Sequence, residues 1–398
     1  MDGMLQATRG HGGHSSHARV LKLVHRAGPH SRAAITERTG LNRSTVAHVV
    51  ADLAKAGLVA QSDPASTENR VGRPSPTVSA IADVAVLAAN PEVDALTLAV
   101  IGLDRSVRAR ARIPFHESPT PEQVVAALTT QLDTWRAGDL RAVRFIGVGL
   151  AVPGLVREPD ALVRDAPHLG WRDVALRELL EPMCGLPVSL RNDATLGVWA
   201  ERLYGAARDA DDAIYLNGGA SGIGGGLVIG GALVHGANGY AGEFGHNHPG
   251  GAQPDDLSTA GGTLEDEVNR ARLVRALGLR DLDDPALAAA LASAHGPALD
   301  EANRQRRVLA AAIANAANVL NPTRVVLGGF LAMLAELDLD ELHRLVIAST
   351  LPANGEALDI RPAELADDRL LVGAAELAFA RLLDSPLTHA DAPAAESP

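Results

Sequence analysis

Gly40-Leu41-Asn42-Arg43-Ser44-Thr45-Val46-Ala47-His48-Val49-Val50-Ala51-Asp52-Leu53 reads as a tight turn followed by one helix with two unlike faces. Gly40 suits a left-handed turn position at little steric cost. Asn42 or Ser44 can cap the helix that follows. Val46, Val49, Val50 and Leu53 recur at spacings of three and four, which predicts the buried face. Asn42, Arg43, Ser44, Thr45 and His48 make the other face polar and basic, the chemistry that meets phosphates and base edges in a DNA major groove.

The flanks agree with this. Upstream, Val20, Leu21, Leu23 and Val24 form a short amphipathic run that Gly28-Pro29 stops. Residues 32–39 predict a second helix around Ala33, Ala34 and Ile35. Downstream, Leu58-Val59-Ala60 begins a strand that leads toward Arg70-Val71-Gly72-Arg73-Pro74-Ser75-Pro76. Helix, helix, glycine turn, polar-faced helix and wing make a winged helix-turn-helix. Arg73 between Gly72 and Pro74 is a narrow cationic tip suited to a minor groove. A lone arginine before a domain boundary is more often simply solvated; its place after a helix-turn-helix decides for DNA contact.

Charge divides the chain in the same place. Residues 1–80 carry a net charge of +5 and residues 81–398 carry −17, within a total of −12. A small basic head on an acidic body fits a protein that meets nucleic acid through its head alone. One cysteine, Cys184, excludes an intrachain disulfide and fits a reducing compartment. No secretory signal and no long uncharged apolar run occurs, so a cytoplasmic protein without membrane contact is expected. Residues 1–16 and 385–398 read as disordered tails. His11, His14 and His17 read as part of a flexible tail rather than as metal ligands.

Beyond the head, strands are expected at 95–101, 107–115, 145–152, 187–190, 213–216, 226–229 and 325–327. Helices are expected at 121–135, 194–204 and 308–320. Their alternation predicts an α/β body with two lobes. The expected division is tail 1–16, winged head 17–80, body 81–384 and tail 385–398.

Three segments carry a family resemblance: Arg191-Asn192-Asp193-Ala194, then Gly222-Ile223-Gly224-Gly225-Gly226, then Gly239-Tyr240-Ala241-Gly242-Glu243-Phe244-Gly245-His246. In this order and spacing the chain, over about residues 18–384, resembles the ROK proteins (repressors, open reading frames and sugar kinases). With its winged head it is most similar to the repressor branch, of the xylose or N-acetylglucosamine type. The resemblance implies a two-lobed actin-like ATPase fold and a homodimer or homotetramer. It also implies a sugar site, in which Asp193 stands where the kinases hold their general base. Asn192, Glu243, His246 and Glu265 match positions that bind sugar hydroxyls, and His168 stands where the family often has asparagine. Read without the resemblance, Asp193 is a candidate helix N-cap, and Glu243 and His246 are solvated loop residues.

Three departures shape the expectation. Asn90-Pro91-Glu92-Val93-Asp94 takes the place of the kinases' Asp-x-Gly-Gly-Thr phosphate loop and has lost its glycines, so phosphoryl transfer is not expected. Residues 251–263 lack the cysteines of the family's zinc site, so no metal or cofactor is expected; a site from His246, His248 and Asp255 or Asp256 is the weaker alternative. His168 leaves the sugar's identity open. The resulting expectation is a regulator, most simply a repressor, binding double-stranded operator DNA and a small sugar or sugar derivative, with no catalytic residue. The alternatives are a sugar kinase with a DNA-binding head and a ligand-independent DNA-binding dimer.

Overall fold

The head is built from α1 (Ser16–Ala27), β1 (His30–Ser31), α2 (Arg32–Thr39), α3 (Arg43–Lys55), β2 (Val59–Ser62) and β3 (Thr77–Ala80). Gly40 ends α2 in the left-handed region at φ 66°, and Val46, Val49, Val50 and Leu53 are the buried face of α3, as their spacing predicts. The strands form a small antiparallel sheet in the order β1-β3-β2. The computed structural model describes residues 15–62, 76–158, 160–219, 222–250, 256–258, 262–280 and 282–389. Arg73 and the expected wing tip lie outside these residues.

Residues 15–16 and 385–389, expected in disordered tails, are part of the fold. The Ser15 hydroxyl accepts the Ala18 N–H at 3.2 Å and starts α1, whose Ala18, Val20, Leu21 and Val24 are buried. At the other end, Pro386 is buried in a short helix that packs on α1, so order extends to His389.

The first lobe comprises β4 (Val84–Pro91), β5 (Ala95–Gly102), β6 (Val107–Pro114), α4 (Pro121–Ala137), β7 (Arg144–Val152), β8 (Leu155–Arg157), β9 (Leu162–Ala166), β10 (Trp171–Val174), α5 (Leu176–Cys184), β11 (Val188–Asn192) and α6 (Asp193–Tyr204). Its main sheet runs β11-β7-β4-β5-β6, with a β4-β5-β6 antiparallel meander and parallel β7 and β11. The strand β4 was not expected. All eight of its residues are buried, and a continuous run of small apolar residues lacks the alternation that marks a half-exposed strand.

The second lobe comprises β12 (Ala213–Gly218), β13 (Ile223–Ile229), β14 (Ala232–Leu233), α7 (Leu264–Glu267), α8 (Arg270–Ala276), α9 (Asp284–Ala292), α10 (Pro297–Leu320), β15 (Arg324–Gly329), α11 (Phe330–Glu336), α12 (Leu339–Ala348), α13 (Pro352–Gly355) and β16 (Asp359–Pro362). Its sheet, β14-β13-β12-β15-β16, repeats the plan of the first: an antiparallel meander followed by two parallel strands. Helix α10 begins eleven residues before the expected 308. The charged stretch ahead of that point is held by partners: Arg304 pairs with Glu267 at 2.9 Å and with Glu301 at 2.8 Å.

The chain then returns to the first lobe as α14 (Arg369–Asp384) and α15 (Pro386–His389). Two glycines let α14 sink against its neighbours. A Cβ on Gly149 of β7 would lie 1.9 Å from the Ala374 carbonyl oxygen, and one on Gly373 would lie 2.3 Å from that of Leu196 in α6. The head packs onto this part of the body, and Leu21, Val24 and Leu53 share one apolar cluster with Val86, Ile101, Phe379 and Leu382.

Candidate ligand cleft and nucleic-acid interface

Strand β11 runs into α6 at Asn192, and here an expectation is corrected. Asn192 Oδ1 accepts the Thr195 N–H at 2.9 Å and its Nδ2 donates to the Gly154 carbonyl at 3.0 Å. The helix cap considered for Asp193 thus falls to Asn192, each end of whose amide makes one contact to protein. Asp193 opens the helix and accepts from the Ala194 N–H at 2.7 Å. Burial raises its carboxyl above the ordinary range, while Arg369 and His168 lie near enough to favour its charged form.

Glu243 precedes a single 3-10 turn, Phe244–His246. Its carboxyl is also raised, first by burial and then by the like charges of Asp193 and Glu265, with His246 opposing. Glu265 accepts the Ile223 N–H at 3.2 Å, and its other oxygen lies 3.8 Å from His246 Nδ1. His246 is exposed, as is His168, which sits in the short turn Pro167–Leu169. Segments far apart in sequence therefore bring Asp193, Glu243, His246, Glu265 and His168 to one place. Carboxylates that are partly desolvated gain from hydroxyl donors, which is what a sugar supplies.

The glycines of the sequence motifs have a steric reason. A Cβ on Gly225 would lie 2.4 Å from the Gly242 carbonyl oxygen, and one on Gly245 would lie 2.3 Å from that of Ile223. The two motifs are pressed together, which sets Glu243 beside the glycine-rich start of β13, expected as a bend but paired with β12 from Ile223 onward.

Sequence reasoning missed Arg369. It opens α14, donates to Asn217 Oδ1 of β12 at 3.0 Å, and so ties the second lobe to a helix of the first. An isolated arginine after Asp367-Asp368 carries no local signal of this. It also missed an ion pair beside the cleft, Arg191 with Glu158 at 2.8 Å, which His235 flanks. Desolvation lowers the Arg191 guanidinium, with Glu158 opposing.

On the head, Asn42 is again a cap. Its Oδ1 accepts from the Thr45 N–H at 2.8 Å and from the Ser44 hydroxyl at 2.7 Å. Asn42, Arg43, Ser44 and His48 are exposed at the start of α3, and Thr45 is half-buried. His48 lies 3.4 Å from Asp52, which His17 also approaches at 2.9 Å. The exposed polar face is therefore present, but the acceptor of Asn42 serves the helix.

The segment Asn90 to Asp94 forms a tight hairpin between β4 and β5, closed by the Glu92 N–H on the Ala95 carbonyl at 2.8 Å. Asn90 Nδ2 donates to one Glu92 oxygen at 3.2 Å and the Thr97 hydroxyl to the other at 3.5 Å. Among the described residues of the segment that holds the family's zinc site, His248 donates to the Gly262 carbonyl at 3.1 Å and Asp256 is buried against Arg307 at 2.7 Å, while Cys184 is buried in the first lobe. Among the described residues no three His, Cys, Asp or Glu side chains group as metal ligands, and no helix is long and apolar enough to cross a membrane.

Residues 93–381 match the ROK family model, and residues 11–66 match that of the MarR family. A putative xylose repressor of Caldicellulosiruptor sp. is 25% identical over 376 residues, 89% of this chain and 93% of its own. A glucokinase of Halalkalibacterium halodurans is 31% identical over 282 residues, covering 65% of this chain and 85% of its own. A solved ROK family transcriptional regulator, a homologue of the E. coli MLC protein, shares the fold with a TM-score of 0.76 at 23% identity, over 94% of this chain and 97% of its own.

Proposed function

The chain belongs to the ROK family and is a transcriptional regulator with a DNA-binding helix-turn-helix; from that premise we propose that it is a repressor which a small sugar releases from its operator. What supports this reading is that Asp193, Glu243, Glu265, His246 and His168 lie within electrostatic reach of one another, in a body whose core is continuous with the head. The carboxylates accept sugar hydroxyls, and the histidines complete the polar wall. Arg43, Ser44, Thr45 and His48 read the operator, with Arg73 reaching the adjacent groove. Two heads in a homodimer or homotetramer meet two half-sites, and a change in lobe closure alters their spacing.

The protein acts without catalysis and without zinc in this reading. Where a kinase needs glycine backbone N–H groups for ATP phosphates, the β4–β5 hairpin has no glycine, and its Glu92 and Asp94 carboxylates are held by Asn90, Thr97 and Arg112. The glucokinase relative and the raised Asp193 carboxyl favour a second reading, a sugar kinase with Asp193 as base.

Heat unfolding with D-xylose, D-glucose, amino sugars and sugar phosphates, each with and without ATP and magnesium, separates these. A ligand at 100 times its Kd adds about 2.7 kcal/mol. Stabilisation by one sugar, with none from ATP and with release of bound DNA, is expected. ATP-dependent sugar phosphorylation would establish the kinase, and no response to any compound would overturn the sensor.

A further inference from the structure

Helix α6 begins at the cleft and ends under the head. Its first residue is Asp193 and its last is Tyr204, about 17 Å away at 1.5 Å per residue. At that far end the Tyr204 hydroxyl donates to Glu376 Oε1 at 2.6 Å, and His25 Nε2 of the head helix α1 lies 2.7 Å from the same oxygen. The other nitrogen, His25 Nδ1, meets the Leu103 carbonyl oxygen at 2.5 Å and must donate to it, since a carbonyl only accepts. His25 and Glu376 are 1% and 5% exposed, so water competes with neither contact. Among the described residues, Glu376 Oε2 is buried without a hydrogen-bond partner, an uncommon and costly state.

Glu376 belongs to α14, the other helix that spans this distance. The first residue of α14, Arg369, is bonded to Asn217 in the second lobe, and its last, Asp384, pairs with Lys22 of α1 at 2.6 Å. Helices α6 and α14 are locked to each other. Gly373 seats against Leu196, and the buried Glu201 carboxylate accepts the N–H groups of Glu364 and Leu365 just ahead of α14 at 3.2 and 3.0 Å. The head touches α6 directly as well, with the Arg26 guanidinium 5.8 Å from the Trp199 ring centre.

We propose that Tyr204, Glu376 and His25 form the joint through which the cleft sets the orientation of the DNA-binding head. Arg369 and Asp193 feel the two lobes and the ligand at one end of a rigid helix pair. The joint passes any rotation of that pair to α1, because three groups hydrogen-bonded around one buried carboxylate oxygen have one arrangement rather than a continuum. These are positioning residues: none of them touches DNA or ligand. The ligand arm of this inference rests on the sugar-sensing reading above, whereas the head-positioning arm does not.

The test is a double-mutant cycle on the full chain, read as affinity for duplex DNA selected by the wild type from a random pool. The variants are Tyr204→Phe, Asp193→Asn and both together. Sites this far apart ordinarily act additively. The joint predicts that Tyr204→Phe weakens operator binding at least threefold, and that the double variant departs from additivity by at least threefold. Additivity, or operator binding by Tyr204→Phe equal to the wild type, overturns it. Glu376→Gln retains an acceptor for Tyr204 and should bind DNA better than Glu376→Ala. If Glu376→Ala does not fold, the Tyr204→Phe cycle decides alone. D-xylose and D-glucose separate the two readings. A sugar that releases DNA equally from the wild type and Tyr204→Phe keeps the sensor and removes the joint. Non-additivity with no response to either sugar keeps the joint and removes those sugars as effectors.

Discussion

Replacing Gly149 by alanine should destabilise the protein far more than replacing Gly147, its neighbour two residues away on the same face of β7. Both glycines face α14. At Gly147 the nearest atom to an added Cβ is the Pro187 carbonyl oxygen at 3.4 Å, an ordinary contact. Alanine there mainly restricts the unfolded chain and should stabilise by about 0.5 kcal/mol. At Gly149 the added carbon would lie 1.9 Å from the Ala374 carbonyl oxygen, so α14 must retreat by about 1 Å to reach the shortest separations real Cβ atoms show. The obstacle is backbone in the middle of a helix pinned on its far side by Leu196, so no side chain can simply turn away. Overpacking of this kind costs about 1–3 kcal/mol, and the upper end applies here. Less the same chain-restriction gain, a net loss of about 2 kcal/mol or more remains. Urea unfolding of the two variants against the wild type measures the difference. The Gly149 variant should also lose operator affinity while still folded, because α14 carries Arg369 and Glu376. Equal stability of the two variants would refute the claim that β7 and α14 meet at van der Waals distance through this glycine.

Asp193→Asn should stabilise the ligand-free protein by about 1 kcal/mol, since it removes a desolvated carboxylate, and weaken sugar binding at least tenfold by isothermal titration. Burial raises both Asp193 and Glu243, so their ionisation opposes folding as pH climbs past the ordinary carboxylate value. For the same reason sugar affinity should start to fall, on acidification, at a higher pH than an unperturbed carboxylate would give, and a titration that loses affinity only below pH 4 contradicts this. Glu267→Ala should cost about 3 kcal/mol in chemical unfolding, because the buried carboxylate receives Arg272, Arg304 and Ser258 and its loss leaves both arginines only Glu301 as a carboxylate partner. Arg43→Ala should weaken DNA binding at every sequence tested if the side chain meets phosphate, and lower the slope of affinity against salt by about one; an unchanged slope assigns it to a base edge or to solvent.

Much of this organisation was legible in the chain itself. The head was readable because its determinants are local: the glycine turn at Gly40 and the three-and-four spacing of Val46, Val49, Val50 and Leu53 need no distant partner. Strands such as β5 and β7 announced themselves through continuous apolar runs, and the cleft motifs by their order and spacing. Other features lay where local pattern misleads. The first half of α10 fell outside the expected 308–320 because its charged residues pack only through partners such as Glu267 against Arg304, and β4 lacked alternation because both its faces are covered. The ends of the chain looked polar and mobile, yet Ser15 and Pro386 are fastened by contacts made elsewhere.

Composition, periodicity and turn chemistry thus determined that a basic reading head sits on an acidic two-lobed body, since each depends on residues close along the chain. Only the tertiary structure decided which motif residues keep their polar groups available. Asn42 and Asn192 proved to be helix caps, while Asp193 and Glu243 were left within electrostatic reach of one another. It alone placed Arg369 beside Asn217, and joined His25 to Glu376 across 351 positions of sequence. Contacts of that span are set by how helices and sheets stack around a shared core, and no spacing along the chain records them.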